Sequence, residues 1–479
     1  MTHRLLFLLG LAVLPWMARA QEKISGSWHG VLDAGQASLH MVFHLDTDEE
    51  GQDVCKMDVI EQNLKGFPVV VKYCGTDSLS LAVPLLGASY AGRLQAGLLS
   101  GNPDSSLSGG ILPEHSLIVG KFHQHGYVFD LNLEPGSWEP RRPQTPKPPF
   151  DYQTEEVCFL APDSARLCGT LTYPVGYKPG KRKKTPVVVL VSGSGQQDRD
   201  ETIMSHKPFA VLADYLAEHG IASLRYDDRG KGASEGDPAL TTTYTNMQDA
   251  LAGINYLRQS RKFGPVGVIG HSEGGVIAFM IGAENQADFI VSMAGSAIPG
   301  DSILLTQNRM AFESMGQPDS LVDAYCAVLE RVLDYRVSGQ DVDSPRAVVD
   351  SLVAVCGAEC LPLEARLNLS IVLGQESPWI DFFIAYDPAQ AIAKVRCPVF
   401  ALNGELDTQV LSSENLPVIE SLLPPCPQNR VAAYPGLNHL FQHAVTGLST
   451  EYSTIEETLS EEVLQDIADW INGLGTARR

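Results

Sequence analysis

The chain has 479 residues, too many for one ordinary domain, and its 44% hydrophobic content is ample for large cores. A formal net charge of −22 makes a surface that repels polyphosphate, so no nucleic-acid partner is expected.

At the N-terminus Arg4 precedes a short apolar region, Leu5–Leu14, followed by Ala18-Arg19-Ala20. That is the form of a cleavable secretory signal over residues 1–20, and it predicts export to the periplasm or the extracellular space. The apolar region is too short to span a bilayer and no other segment reaches membrane-spanning length, so stable membrane insertion is not expected. Nine cysteines leave at least one unpaired within an exported chain. Cys158 and Cys168 flank a predicted hairpin and can pair, whereas Cys356 and Cys360, one helical turn apart, suit disulfide geometry poorly. No cysteine–histidine cluster has zinc spacing, so no structural metal is expected.

Residues 21–134 read as an all-β domain, an antiparallel barrel or sandwich. Leu39, Met41, Phe43 and Leu45 alternate with Ser38, His40, Val42 and His44, and Leu79, Leu81 and Val83 alternate again. The histidines here (His29, His40, His44, His115, His123 and His125) are read as strand-surface residues rather than metal ligands. Pro135, Pro140, Pro143, Pro146, Pro148 and Pro149 then make residues 135–150 a stiff linker.

From residue 151 the pattern alternates strand and helix. Val157–Leu160 and Leu167–Tyr173 suggest a starting hairpin. The run Lys181-Arg182-Lys183-Lys184 is read as a solvated turn, and Val187–Val191 has the continuous apolar character of a buried parallel strand. Further buried strands are expected at Ala222–Tyr226, before Ser272, at Phe289–Met293 and at Pro398–Leu402. The sum is a doubly wound, mostly parallel α/β sheet. Between Gly300 and about Ala391 the strand signal disappears and Leu321, Tyr325, Val328, Leu329 and Val332 recur at helical spacing. A helical insertion there would cover the carboxyl ends of the strands as a lid. Trp379, Phe382 and Phe383 either line an acyl pocket or form the lid's own core.

Gly270-His271-Ser272-Glu273-Gly274 is G-x-S-x-G set between a strand and a helix, the context that exposes a serine hydroxyl on a strained turn. Serine needs a base, and the base an orienting acid. Only His439 and His443 lie beyond Ser272, and His439, in a turn-rich loop just past the strand Val431–Tyr434, is the expected base. His443, one helical turn later, could belong to the following helix. Asp407, rather than Glu405, is the expected acid, at the end of a strand. The chain order Ser272, Asp407, His439 is that of the α/β-hydrolases. Backbone N–H groups for an oxyanion are expected from Glu273 and from Ser194 in the loop Ser192-Gly193-Ser194-Gly195-Gln196. That loop lacks the lysine and the full glycine spacing of a phosphate cradle. Asp198, Arg199 and Asp200 are read as fixing the loop, Asp228, Arg229 and Ser234 as stabilising a turn, and His271 as a packed neighbour rather than a second base.

The segments Ser192–Asp200, Leu224–Ser234 and Gly270–Gly275, with Asp407 and His439, resemble secreted bacterial serine hydrolases of the α/β-hydrolase superfamily, in the branch of esterases and serine-aminopeptidase-like proteins. The resemblance covers about residues 151–479 and is specific for fold and triad, not for substrate. Members with a β-rich N-terminal domain are similar in layout. Gln196 departs from the small residues or proline often found there, which puts nothing catalytic in doubt. The expectation is a cofactor-free hydrolase of carboxylic esters acting through an acyl-enzyme on Ser272, on small-molecule esters or, alternatively, on short peptides through the same triad. A binding protein on an inactive scaffold is the reading from a different class.

Overall fold

The computed structural model describes residues 23–33, 38–62, 64–95, 116–179, 185–340 and 343–475. The expected signal segment, His115 and the run Lys181–Lys184 lie outside the described residues. The chain forms two compact units, one ending at Glu139 and one starting at Pro140.

The first unit is a single antiparallel sheet of nine strands: β1 (Gly26–Asp33), β2 (Ser38–Thr47), β3 (Asp53–Val59), β4 (Leu64–Cys74), β5 (Ser78–Val83), β6 (Ala88–Gln95), β7 (Leu117–Gln124), β8 (Tyr127–Asp130) and β9 (Glu134–Pro135). The strands follow one another in sequence order until β9, which pairs with β1. Leu133 also bridges Ile118 in β7 through two backbone hydrogen bonds of 2.8 and 2.9 Å, so the sheet curls round on itself. Alternation drives the curl: Leu79, Leu81 and Val83 of β5 point inward to meet Trp28, Phe43 and Met57. The sheet-surface histidines are held by neighbours. His40 bonds Glu61 and stacks on Trp138 with ring centroids 3.8 Å apart, and His44 lies between Ser27 and Asp58.

The proline segment is tied to neighbouring structure at two points. Glu134–Pro135 already belongs to the first sheet, and Arg142 is anchored in the second unit. Its guanidinium donates to the carbonyls of Ile455 and Met204, both at 2.8 Å, and of Ser453 at 3.0 Å. The prolines exclude helix, but one long side chain with five donors is enough to tie the segment down.

The second unit carries an eight-stranded sheet: β10 (Thr154–Leu160), β11 (Arg166–Thr172), β12 (Val187–Val191), β13 (Ala222–Tyr226), β14 (Val266–His271), β15 (Ile290–Met293), β16 (Val399–Gly404) and β17 (Arg430–Tyr434). The spatial order is β10-β11-β13-β12-β14-β15-β16-β17. The hairpin β10–β11 is antiparallel, β11 joins β13 antiparallel, and every later pairing is parallel. Cys158 and Cys168 face each other in register across the hairpin and are joined by a disulfide, with Cα atoms 4.1 Å apart.

All five residues of β12 are buried, because helices cover both faces. Val187, Val189 and Val191 meet one core, under α2 (Thr243–Ser260) and α3 (Glu273–Ala283). Val188 and Leu190 meet the other, under α1 (Pro208–Glu218) and the C-terminal helix Glu461–Leu474. Six helices, α4 (Gly300–Ser314), α5 (Asp319–Val337), α6 (Pro345–Val355), α7 (Leu363–Gly374), α8 (Pro378–Ala385) and α9 (Ala389–Ile392), are inserted between β15 and β16. They hold their own apolar cluster, with Val328, Val332, Val349 and Leu369 fully buried. The insertion leaves the sheet just after Met293, which pairs in register with His271, so it starts at the strand end that carries Ser272.

Candidate active site

Ser272 is the single residue between the end of β14 and the start of α3, with φ 54° and ψ −117°. A non-glycine residue there stores roughly 1–3 kcal/mol of strain, which the packing around it must hold. Glycines make that packing possible. A Cβ at Gly270 would lie 1.8 Å from the carbonyl oxygen of Gly274, and one at Gly274 would lie 2.1 Å from that of Val191. The Ser272 N–H donates to the Met293 carbonyl at 2.8 Å, tying the turn to β15.

The loop after β12 reaches the same point. A Cβ on Gly193 would sit 3.2 Å from the Ser272 Cβ. The Gly193 N–H is already taken by Glu201 Oε1 at 2.7 Å, and the next amide along the loop is that of Ser194. The Glu273 amide is the first of its helix, where no intrahelical acceptor exists. No acceptor is seen for either amide among the described residues.

Asp407 follows β16 and is 1% exposed. Its Oδ2 accepts the Nδ1–H of His439 at 2.7 Å, and its Oδ1 accepts the amides of Gln409 and Val410 at 2.8 and 2.9 Å. A carboxylate so fixed holds the imidazole with Nδ1 protonated and leaves Nε2 as the basic nitrogen. The loop carrying His439 is braced by Asn438, whose Oδ1 accepts the amides of Leu440 and Gln442, both at 3.0 Å. Glu405 is exposed. His443 lies in no helix: its segment returns to bridge Leu437, and its ring pairs with Glu457 on the surface at 2.9 Å. The turn chemistry after Tyr434, with Gly436 at φ 73°, keeps this stretch from becoming the helix its spacing suggested.

Charged side chains pin the surrounding loops. Arg199 binds Asp227 and Glu156, and Asp200 binds Arg225. Arg229 makes a two-pronged bond to buried Asp249 at 2.6 and 2.7 Å, and Ser234 Oγ donates to the Asp227 carbonyl at 2.7 Å. Asp228 accepts the amide of Gln197 at 2.8 Å and the hydroxyl of Ser192, and burial pushes its carboxyl up to about 7.

Two arrangements escape a reading of the sequence. Glu201, at φ 53° and 1% exposed, joins the Gly193 amide to His271, whose Nδ1 lies 3.0 Å from the same carboxylate oxygen. The other nitrogen of His271 donates to the His439 carbonyl at 2.9 Å. Glu201 is the last residue of an acidic run, Asp198-Arg199-Asp200-Glu201, and nothing in its spacing sets it apart. The second arrangement is Glu273 itself. Its side chain is 4% exposed and its Oε2 accepts the indole N–H of Trp379 in α8 at 2.9 Å, while Oε1 has no partner among the described residues. Burial raises its carboxyl above the ordinary range. Thr243, Trp379, Ser194 and Asn246 hold that shift back, although only the Trp379 bond has full hydrogen-bond geometry. The three lid aromatics therefore divide. Trp379 reaches the site and stacks on Phe383, which belongs to the lid cluster, and Phe382 packs on the sheet-side core.

Residues 187–303 match the profile of a family described as serine aminopeptidase, S33. The chain is 25% identical to the esterase EstD of Thermotoga maritima over 307 residues, which are 64% of this chain and 65% of that one. An acyl transferase of Photobacterium leiognathi is 29% identical over 119 residues, 25% of this chain and 35% of that one. Among solved structures an esterase of Pyrococcus furiosus is similar at 15% identity and a TM-score of 0.41, covering 70% of this chain and 99% of that one.

Proposed function

We propose that this chain, an esterase-like α/β-hydrolase, cleaves carboxylic esters through an acyl-enzyme on Ser272. The single observation that carries the reading is a serine on the strained turn ahead of α3, in one unit with a buried carboxylate–imidazole pair. In this reading Ser272 Oγ attacks the ester carbonyl as His439 Nε2 takes its proton, and Asp407 stabilises the imidazolium that forms. The amides of Ser194 and Glu273 receive the oxyanion. The proton returns to the leaving alcohol, and water then attacks the acyl-enzyme with His439 again as base. No step calls for a cofactor. Export belongs to the same proposal, since the Cys158–Cys168 disulfide suits an oxidising compartment.

Peptide hydrolysis is the second reading, favoured by one observation. Glu273 offers, beside the serine, a buried carboxyl oxygen with no hydrogen-bond partner among the described residues, a group that a free ammonium of an N-terminal residue could ionise and pair with. Parallel assays with p-nitrophenyl acyl esters and aminoacyl-p-nitroanilides separate the two. Ester cleavage is expected to exceed anilide cleavage by at least about a hundred-fold in kcat/KM, a gap of roughly 2.7 kcal/mol in transition-state stabilisation. Equal or better anilide turnover would reverse the assignment.

A further inference from the structure

We infer that Glu201 and His271 form a buried ion pair that positions the site from beneath and sets a fixed positive charge against the base His439. The inference rests on reading His439 as that base. It begins from hydrogen-bond bookkeeping. His271 Nδ1 faces a carboxylate oxygen of Glu201 at 3.0 Å, and Nε2 faces the backbone carbonyl of His439 at 2.9 Å. The carbonyl only accepts, and Glu201 Oε1, which already takes the Gly193 N–H, accepts as the oxygen of a carboxylate. An imidazole satisfies two acceptors only when both nitrogens carry protons, so the ring is an imidazolium. It is 4% exposed and its partner 1%, so the charge cannot be shared with water and is balanced by Glu201.

The titration tendency agrees with the geometry. Burial works against a charged His271. The charge and hydrogen bond of Glu201, the His439 carbonyl and the charge of Asp407 together outweigh it and raise the group above its ordinary value. The groups facing the ring from each neighbouring segment are Glu201 after β12, Asp407 after β16 and His439 after β17, with the uncharged Phe441 ring at 6.5 Å. Farther out, Asp228 feels Glu201 and Tyr452 feels Asp407.

Two consequences follow. The pair clamps both loops: Glu201 Oε1 holds the Gly193 amide, next to the proposed oxyanion donor, while His271 holds the backbone of the base. The pair is also electrostatic. The rings of His271 and His439 have centroids 4.8 Å apart, so a proton on His439 meets a cation at short range, only partly offset by the more distant Glu201.

The test is the pH profile of kcat/KM for Glu201→Gln on a p-nitrophenyl ester. Glutamine still accepts the Gly193 amide but cannot balance an imidazolium, so His271 becomes neutral and the cation is lost. The acid limb is expected to move up by about one pH unit, the difference between losing the near cation and losing the farther anion in a medium of intermediate dielectric. The reading is the position of the limb, not the height of the optimum, which a merely structural role would lower without moving the limb. An unmoved limb overturns the electrostatic claim. If the variant does not fold, ¹⁵N NMR of the wild-type imidazoles decides: one buried histidine with both nitrogens protonated at pH 7–8 is expected, and a singly protonated His271 overturns the proposal. That spectrum is independent of which residue is the nucleophile, so failure here is distinct from failure of the hydrolase reading.

Discussion

Replacing Ser272 by alanine is expected to lower ester turnover by roughly 10⁴–10⁶-fold while the protein melts within about 1 kcal/mol of the wild type. The substitution removes one oxygen and nothing that holds the turn. The backbone bonds from Ser272 N–H to Met293 and from the Gly275 amide to the Ser272 carbonyl are untouched. Alanine and serine both carry a Cβ, so the strain at φ 54° is the same in both. The residual rate would come from the oxyanion amides and from binding. Turnover of a p-nitrophenyl ester beside a thermal melt makes the check. Retention of most of the activity would remove Ser272 from the chemistry.

Gly270→Ala should do the reverse, destroying stability and activity together. The new Cβ would fall 1.8 Å from the Gly274 oxygen, 2.1 Å from its carbon and 2.7 Å from the Gly275 nitrogen. All three are backbone atoms, so no side chain can swing aside, and the first turn of α3 must lift off the end of β14. Overpacking of this kind costs at least about 3 kcal/mol, and the variant is expected to be largely insoluble or to melt at least about 5 °C below the wild type. Gly195→Ala is the contrast, with φ 93° but nothing within 4 Å of the new Cβ, so only local backbone strain of about 1 kcal/mol is added. A Gly270→Ala protein that melts with the wild type would contradict the close packing on which the turn depends.

What was legible in the sequence had a local signature. The buried run Val187–Val191, the strand–turn–helix around Ser272 and the helical period of the insertion all follow from patterns within a dozen or so residues. Asp407 and His439 were legible for a different reason: chain order after Ser272 left only two histidines, and among the many acids the end of a predicted strand picked out Asp407. The helix to which His443 could have belonged does not form there, because the turn chemistry before it brings the chain back to bridge Leu437. Arg142, Glu201 and Trp379 could not have been found the same way. Their partners lie 62 to 313 residues away for Arg142, 70 for Glu201 with His271, and 106 for Trp379 with Glu273. Such pairings are products of the fold, and no period in the chain announces them. The curled first sheet stands between these cases, since its alternation was plain but the return of Leu133 to Ile118 was not.

The central claim is that one serine, activated by one histidine, forms the acyl-enzyme. A fluorophosphonate probe followed by peptide mass spectrometry tests it most directly. The account predicts a single phosphonylated peptide carrying the label on Ser272, strongly reduced in His439→Ala and absent in Ser272→Ala. Labelling of another residue, or none in a folded wild-type protein, would contradict it.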